Sequence, residues 1–316
     1  MSGELLKKLN DIVNKIYERV NRNKRIVIDF LESSQKELYM LYTDYRNSSL
    51  TSLYYTLKSF SSEKKVSIDD LESYSLYIAP YNEGREPDIL ILSSRDGSNT
   101  LLRTISSLAL TGHRGLIISS WNLDENENLK RYTRELFRVV YVDDNEFSLE
   151  TNILLISSAL EILRKSLSSP RINRLYNEIT SLNLVIKDLY ERYHRELAVL
   201  RDVFLKPSTR LSIITTPSAR IFEEEIIRIS LSRNTNIDLF SIKYYNPRLV
   251  REDSYLAILF TEAEQAMISD LKREYLFKRD RLIEIMLKTD PVISSVYFGI
   301  LAKIFELSLE QVYDSS

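Results

Sequence analysis

The chain of 316 residues contains no cysteine, and this absence excludes disulfide bonds, thiolate nucleophiles and cysteine-ligated metal sites. Histidine is almost absent too, because His113 and His194 are the only two, and a metal centre built from several histidines is therefore not expected. The chain has only 6 glycines, and it carries neither a P-loop nor the glycine fingerprint of dinucleotide-binding folds. We expect no metal and no organic cofactor.

An excess of charge of one sign is also missing, since 43 basic residues face 45 acidic ones. Without a basic tract, nucleic acid is not expected to be the main partner. The charged, amphipathic N-terminus is unlike a signal peptide, and no apolar run approaches the roughly 20 residues that span a bilayer. We expect a cytoplasmic protein without a membrane partner. Few glycines with many Ile, Leu, Tyr and charged residues favour a thermophilic source.

Hydrophobic residues make up 44 % of the chain, enough for a sizeable core. Strand-like runs alternate with amphipathic helical stretches twice, before and after a long predicted helix over 173–205. The alternation predicts an α/β fold of two tandem, doubly wound parallel sheets flanked by helices. We divide the chain into an N-terminal helical segment (1–30), a first module (31–170), a connecting helix (171–208) and a second module (209–316).

One loop, residues 94–100, follows a predicted strand and precedes a predicted helix. In an open parallel sheet, ligands bind beyond the carboxyl ends of the strands. Gly97 allows a tight turn, and the loop offers polar groups from Ser94, Ser98, Asn99 and Thr100. Such a loop can hold an anion at the helix N-terminus. The alternative is that Ser98 or Asn99 only caps the helix.

The loop Ser94-Arg95-Asp96-Gly97-Ser98-Asn99-Thr100 resembles the Ser-x-Ser-Gly-x-Thr signature of the sugar isomerase (SIS) family. Residues 43–49 are similar to the family's Gly-x-Gly-Ser-Ser, without its glycines. Residues 146–151 are similar to its Glu-x-Ser-Val-Ala-x-Thr. The layout resembles the tandem two-module members, such as the isomerase half of glucosamine-6-phosphate synthase.

In the second half, the stretch 215–230 resembles the family's Gly-x-Gly-x-x-x-x-x-Ala-x-Glu-x-x-x-Lys, with Glu224 and Arg228 at its Glu and Lys positions. Residues 242–247 lie where synthase-like members carry Glu-Phe-x-His-Gly-Pro, but Ile242 and Tyr245 replace the Glu and the His. Asp96 replaces a phosphate-binding serine. A carboxylate there repels a phosphate unless Arg46 or Arg95 neutralises it or it points away.

The resemblance implies a sugar-phosphate isomerase or amino-sugar-phosphate deaminase, with its site between the modules or at a dimer interface. We expect a homodimer, because the predicted terminal helices 4–20 and 291–309 carry more apolar surface than a terminal segment needs. Its implied phosphate- and sugar-binding residues are Ser48, Ser49, Ser94, Gly97, Ser98, Asn99 and Thr100. The candidate proton carriers are Glu224, Glu146 and Glu72, and His194 is a candidate for reaching a neighbouring subunit's site. The alternative function is a non-catalytic sugar-phosphate sensor or a structural dimer.

Several of these residues also have ordinary structural interpretations. Glu224 and Arg228 stand four apart, as in a surface ion pair on a helix. His113 is expected in a surface turn, and His194 on a solvated helix face. Trp121 follows a strand, where its ring rims a cleft or covers the end of the sheet. The 20 tyrosines are expected mainly to fill half-buried surfaces.

Overall fold

A computed structural model gives the fold of the chain. It describes residues 2–34, 37–60, 65–82, 87–206, 210–233, 235, 237–242, 254–275 and 281–313. The chain forms two compact units, which we call the first-sheet unit (residues 15–177) and the second-sheet unit (residues 1–14 and 178–316). The predicted motif at 242–247 lies outside the described residues from residue 243 onward.

The first-sheet unit contains a five-stranded parallel sheet in the order β2-β1-β3-β4-β5. Its strands are β1 (Glu37–Tyr42), β2 (Lys65–Asp70), β3 (Asp88–Ser93), β4 (Arg114–Ser119) and β5 (Phe137–Tyr141). Its helices are α1 (Ser2–Ser33), α2 (Ser48–Phe60), α3 (Leu71–Ser73), α4 (Ser98–Leu110), α5 (Glu127–Leu136), α6 (Phe147–Ser166) and α7 (Pro170–Thr180), of which α1 and α7 are shared with the other unit. β3 is buried almost throughout, as is typical of a parallel strand covered on both faces.

The second-sheet unit contains a four-stranded parallel sheet in the order β7-β6-β8-β9. Its strands are β6 (Leu211–Thr215), β7 (Ile237–Ser241), β8 (Tyr255–Thr261) and β9 (Leu282–Leu287). Its helices are α8 (Leu182–Phe204), α9 (Arg220–Arg233), α10 (Ser269–Tyr275) and α11 (Pro291–Tyr313). The predicted fold class, two doubly wound parallel sheets flanked by helices, is confirmed.

The structure differs from the prediction at three helices. The single helix expected over 173–205 is wrong, because α7 ends at Thr180 and α8 begins at Leu182, with Ser181 at its N-cap. The sequence of residues 69–81 predicts a helix that stops near Pro80, but the structure has a succession of short turns there: α3, a π-helix (Tyr74–Ile78) and a 3-10 turn (Ala79–Tyr81). The charged helix α5 was not predicted, although Leu129 and Leu136 stand seven residues apart, as on one face of a helix.

Helix α11 corrects the expectation that no apolar run is long enough for a bilayer. Among the described residues, one helix, Pro291–Val312, is long and apolar enough to cross a membrane by length and composition. However, 89 % of its apolar window is buried inside the protein. It packs against α8 and α9 and includes the charged pair Lys303 and Glu306, so it forms the core helix of the second-sheet unit.

Candidate functional site

The carboxyl edge of the first sheet has the geometry of a ligand site in doubly wound proteins. β1 and β3 are neighbours, but the chain leaves β1 towards β2 on one side and leaves β3 towards β4 on the other. Ligands of such folds bind in the crevice at this switch point. The loops that follow β1 (43–47) and β3 (94–97) meet there, where the Thr43 amide donates to the Leu92 carbonyl at 3.1 Å.

The loop 94–100 makes the tight turn expected from its glycine. The Gly97 and Ser98 amides donate to the carbonyls of Ser94 and Arg95, at 3.1 and 3.3 Å. A Cβ at residue 97 would lie 1.8 Å from Thr43 Oγ1, so only glycine fits between the two loops. Gly97 itself is the N-cap of α4 and receives no side-chain cap, so the interpretation of Ser98 or Asn99 as the cap is wrong.

Arg46 lies at the centre of this edge, with a side chain that is only 4 % exposed. Its Nη2 pairs with Asp96 Oδ2 at 3.0 Å, and its Nη1 pairs with Asp144 Oδ1 at 3.3 Å. Its Nε donates to the Tyr45 hydroxyl at 3.3 Å, and the guanidinium carbon lies 5.9 Å from the centre of the Phe147 ring. Burial alone would lower the pKa of Arg46. The contacts with Tyr45, Asp144 and Asp96 have the larger, opposite effect, so the pKa of Arg46 lies above its ordinary value.

Asp144 connects the loops that follow four of the strands. Its Oδ1 accepts the Ser120 hydroxyl at 2.5 Å, the Arg95 amide at 3.4 Å and the Arg46 guanidinium. It begins a 3-10 turn (Asp144–Glu146) between β5 and α6. One carboxylate oxygen thus takes donors of three kinds that would otherwise be available to a bound anion.

Asp44 places a further carboxylate inside the turn. Its Oδ2 accepts the hydroxyl of Ser94 in a short hydrogen bond, and its Oδ1 accepts the Arg46 amide at 2.8 Å. Asp96 and Asp144 therefore pair with the buried guanidinium of Arg46, and Asp44 binds the backbone amide of the same residue. A phosphate entering here gains Arg46 but meets repulsion from each carboxylate that stays in place.

The other predicted phosphate-binding residues occupy helix starts at the same edge. Ser48 and Ser49 begin α2 and are buried, and the Ser49 hydroxyl donates to the Ser148 carbonyl at 3.2 Å, which ties α2 to α6. Ser98 and Thr100 are half-buried and Asn99 is exposed in the first turn of α4. The structure thus brings the predicted loop and the predicted serines to one edge of one sheet.

Two of the predicted proton carriers belong to this unit. Glu146 is half-buried at the N-cap of α6, two residues after Asp144. Glu72 lies in α3, which follows β2 at the outer end of the sheet, and it faces Arg103 at 3.8 Å with both side chains mostly exposed. Of these two, Glu146 lies in the same turn as Asp144, the residue that pairs with Arg46.

The remaining two candidates belong to the second-sheet unit. Glu224 is buried in α9. His194 is exposed on α8, where its Nδ1 lies 3.0 Å from the Glu191 carbonyl and its ring stacks on Tyr190. This placement agrees with the solvated helix face expected for His194.

Arg228 belongs to a buried ion cluster and does not form a surface pair. It contacts Glu225 at 2.9 Å and Glu306 at 2.6 Å, and Lys303 contacts the other oxygen of Glu306 at 2.6 Å. The surface interpretation of the Glu224 and Arg228 spacing is therefore wrong, because α11 covers this face of α9. Two positive and two negative charges balance within the cluster.

His113 also differs from its expected place in a surface turn. It is buried, its Nε2 lies 3.1 Å from the Tyr74 hydroxyl and its Nδ1 lies 2.8 Å from Thr111 Oγ1. Burial lowers the pKa of His113. Trp121, whose placement was left open, is half-buried against the sheet core, and its Nε1 donates to Ser93 Oγ at 3.2 Å.

The corresponding edge of the second sheet contains a carboxylate in the same role as Asp144. Glu264 accepts the Ser218 amide at 3.2 Å, the Thr216 hydroxyl at 2.6 Å and the Thr261 amide at 3.0 Å. β6 and β8 are the neighbours at this switch point. The hydroxyl and the two amides at this edge thus already donate to the carboxylate of Glu264.

Two clefts, of about 640 and 510 Å³, lie along β9 in the second-sheet unit. In the first, Lys272 pairs with Glu284, and in the second Arg192 pairs with Asp188. We place the candidate site at the first sheet instead, because the switch point there combines a buried cation with several hydroxyl groups.

The sequence analysis did not identify Asp44, Asp144 and Ser120 as site residues, although each stands within three residues of a strand's carboxyl end.

Comparison with known proteins relates the fold to sugar-phosphate enzymes. No family model and no curated protein matches the chain. A candidate phosphosugar isomerase from Salmonella typhimurium LT2 superposes with a TM-score of 0.66 at 12 % identity, covering 95 % of this chain and 93 % of its own. The C-terminal domain of glucosamine-fructose-6-phosphate aminotransferase from Francisella tularensis gives 0.63 at 12 % identity, covering 96 % of each chain.

Glucosamine-6-phosphate deaminase from Thermotoga maritima gives a TM-score of 0.56 at 14 % identity, covering 94 % of this chain and 95 % of its own. The chain therefore has the fold of phosphosugar isomerases and related deaminases along nearly its whole length. Identities this low show the fold alone. The residue-level match to the SIS motifs stays a prediction.

Proposed function

We propose that the protein binds a phosphorylated sugar at the carboxyl edge of the first sheet, with the phosphate against Arg46 and the loop 94–100. The observation that carries this proposal is a buried arginine at the switch point whose counter-ions are partly exposed. The Asp96 side chain is 56 % exposed and that of Asp144 is 35 % exposed. The Nη2 of the guanidinium can donate to a phosphate once Asp96 moves away, and the loop hydroxyls add donors.

The carboxylates set a condition on this binding. Two unit charges about 4 Å apart repel by about 4 kcal/mol at an effective dielectric constant of 20. The ligand therefore has to displace Asp96 from Arg46 towards the solvent that already covers half of its side chain. Arg46 then exchanges one carboxylate partner for a phosphate and stays paired with Asp144.

The reaction we propose is aldose–ketose isomerisation or deamination of an amino-sugar phosphate, in which a carboxylate moves a proton between adjacent sugar carbons. Glu146 is our first candidate for this role, because it lies on the turn that also carries Asp144. Glu72, Glu224 and His194 are the further candidates. The proposed binding residues are Ser48 and Ser49 at the start of α2 and, in the loop 94–100, Ser94, Gly97, Ser98, Asn99 and Thr100. The proposal includes a cytoplasmic homodimer and no cofactor.

A second function, a non-catalytic sugar-phosphate sensor or structural dimer, is favoured by one specific observation. The Ser94 hydroxyl and the Arg95 amide, two of the loop's donors, already bind Asp44 and Asp144. A protein that keeps these bonds has no vacant anion position in the loop. Binding and turnover together separate the two functions.

The test is titration calorimetry of the purified protein against a panel of hexose, pentose and amino-sugar phosphates, followed by product analysis of any ligand that binds. Binding with turnover supports the enzyme, and binding without turnover supports the sensor. Arg46→Lys is expected to weaken binding at least about tenfold, because a lysine ammonium cannot hold Tyr45, Asp144 and a phosphate in the fixed planar geometry of a guanidinium. Arg95→Lys, at an exposed arginine of the same loop, is the control. No binding to any member of the panel contradicts the proposal.

A further inference from the structure

An ion pair beneath the candidate site joins α1 to α6. Arg19 contacts one oxygen of Glu150, Oε2, through both Nε and Nη2 at 2.7 Å. The Glu150 side chain is 0 % exposed, whereas that of Arg19 is 23 % exposed. Burial raises the pKa of Glu150, and the contact with Arg19 opposes this shift. A fully buried carboxylate is costly, and its pairing with Arg19 is what offsets the cost.

Both members of the pair also hold Asp143, the residue before Asp144. The Asp143 amide donates to Glu150 Oε2 at 3.3 Å, and Asp143 Oδ2 lies 3.7 Å from Arg19 Nη1. Asp143 Oδ1 in turn accepts the Asn145 amide at 3.0 Å, which closes the following turn. Glu150 thus holds the backbone of Asp143, and Arg19 holds its side chain.

We propose that Arg19 and Glu150 are positioning residues that set the place of the turn 143–146. Through this turn they fix the position of the Asp144 carboxylate, which accepts hydrogen bonds from Ser120 and Arg46. Neither positioning residue touches the ligand in this arrangement. Their effect on ligand affinity rests on the proposed function, but their effect on the turn does not.

The chain supplies a spectroscopic reporter for this turn. Trp121 is the only tryptophan, so all tryptophan emission arises from it. It directly follows Ser120, whose hydroxyl donates to Asp144 Oδ1 at 2.5 Å. A displaced Asp144 releases this hydroxyl, and the surroundings of the indole change with it.

The experiment compares Arg19→Gln, Arg19→Lys and Glu150→Gln with the wild type by amide hydrogen exchange and tryptophan emission. Arg25→Gln is the matched control, because Arg25 lies on the same helix in an exposed pair with Asp29 at 2.8 Å. We expect exchange over residues 142–147 to accelerate about tenfold in Arg19→Gln and Glu150→Gln, with a shifted emission maximum. Strands β3 and β4 should stay protected. Arg19→Lys keeps the charge and should restore part of the protection.

Unchanged exchange over 142–147 in folded Arg19→Gln overturns the proposal, as does an equal acceleration in Arg25→Gln. If Glu150→Gln does not fold, the comparison of Arg19→Gln with Arg19→Lys still decides. A sugar phosphate that binds the wild type should bind Arg19→Gln about tenfold more weakly, while Arg25→Gln binds normally. If the wild type binds no sugar phosphate but exchange responds as expected, the proposed function fails and the positioning role stands.

Discussion

Arg46 and Asp96 form an ion pair of 3.0 Å between the loop that follows β1 and the loop that follows β3. The Arg46 side chain is almost fully buried, whereas more than half of the Asp96 side chain is exposed. The two opposite charges meet at the switch point between β1 and β3. A carboxylate that would repel a phosphate is thus held by an arginine that would attract one.

The first prediction concerns Asp96→Ser. Because the Asp96 side chain is 56 % exposed and does not cap α4, its loss should cost less than about 1 kcal/mol of unfolding free energy. It also frees Nη2 of Arg46, so the affinity for a sugar phosphate should rise, by less than about tenfold, or 1.4 kcal/mol. Thermal melting and titration calorimetry of both proteins check the two values. Binding by the variant alone would show that Asp96 fills the place of the anion.

Gly97→Ala should destabilise the protein by about 2 kcal/mol, because its Cβ would overlap both Oγ1 and Cβ of Thr43, at 1.8 and 2.5 Å. Gly3→Ala is the control, since a Cβ at residue 3 has nothing within 4 Å. Chemical denaturation of the two variants gives the comparison. Equal stability of Gly97→Ala and the control would contradict the close approach of the two loops.

Glu306 should contribute to stability in a pH-dependent way. Burial raises its pKa, but Lys303 and Arg228 outweigh burial and hold the pKa below its ordinary value. The stabilisation is therefore present above the unfolded-state pKa of about 4.3 and is lost as the pH falls through the lower folded-state value. Glu306→Gln should cost about 3 kcal/mol at neutral pH and flatten the stability curve below about pH 4.

The control for this prediction is Glu310→Gln, at an exposed glutamate of the same helix. Denaturation curves between neutral and acidic pH should leave the control parallel to the wild type. A Glu306→Gln curve as steep as that of the wild type below pH 4 would show that other carboxylates cause the acid transition.

His113 should stay neutral in the folded protein at a pH where a free imidazole is already charged. Burial lowers its pKa, so its contribution to stability is present above the unfolded-state value of about 6.5 and is lost as the pH falls through the folded-state value. A histidine NMR titration measures the midpoint, and His194→Gln assigns the remaining signal. A midpoint at or above 6.5 would contradict the buried contact with Tyr74.

The fold followed from hydrophobic periodicity, because most strands and helices carry it. The amphipathic pattern of the short helix α5 was overlooked, because charged and polar residues dominate its sequence. The loop 94–100 was found because a strand, a glycine and a helix start follow one another locally. Asp144 could not be assigned, because its contact with Arg46 spans 98 residues and depends on which strands are neighbours. His113 was placed wrongly because Tyr74, 39 residues earlier, provides the partner that makes its burial possible.

The most direct test is the binding of a hexose 6-phosphate and of the same hexose without its phosphate, measured by calorimetry on the wild type. We predict saturable binding of the phosphorylated sugar and at least about 100-fold weaker binding of the free sugar, since a buried Arg46 supplies charge-assisted contacts to phosphate. The same preference should hold for pentose and amino-sugar phosphates if one of these is the ligand. Equal or absent binding of every phosphorylated and unphosphorylated pair would contradict a phosphate site at Arg46.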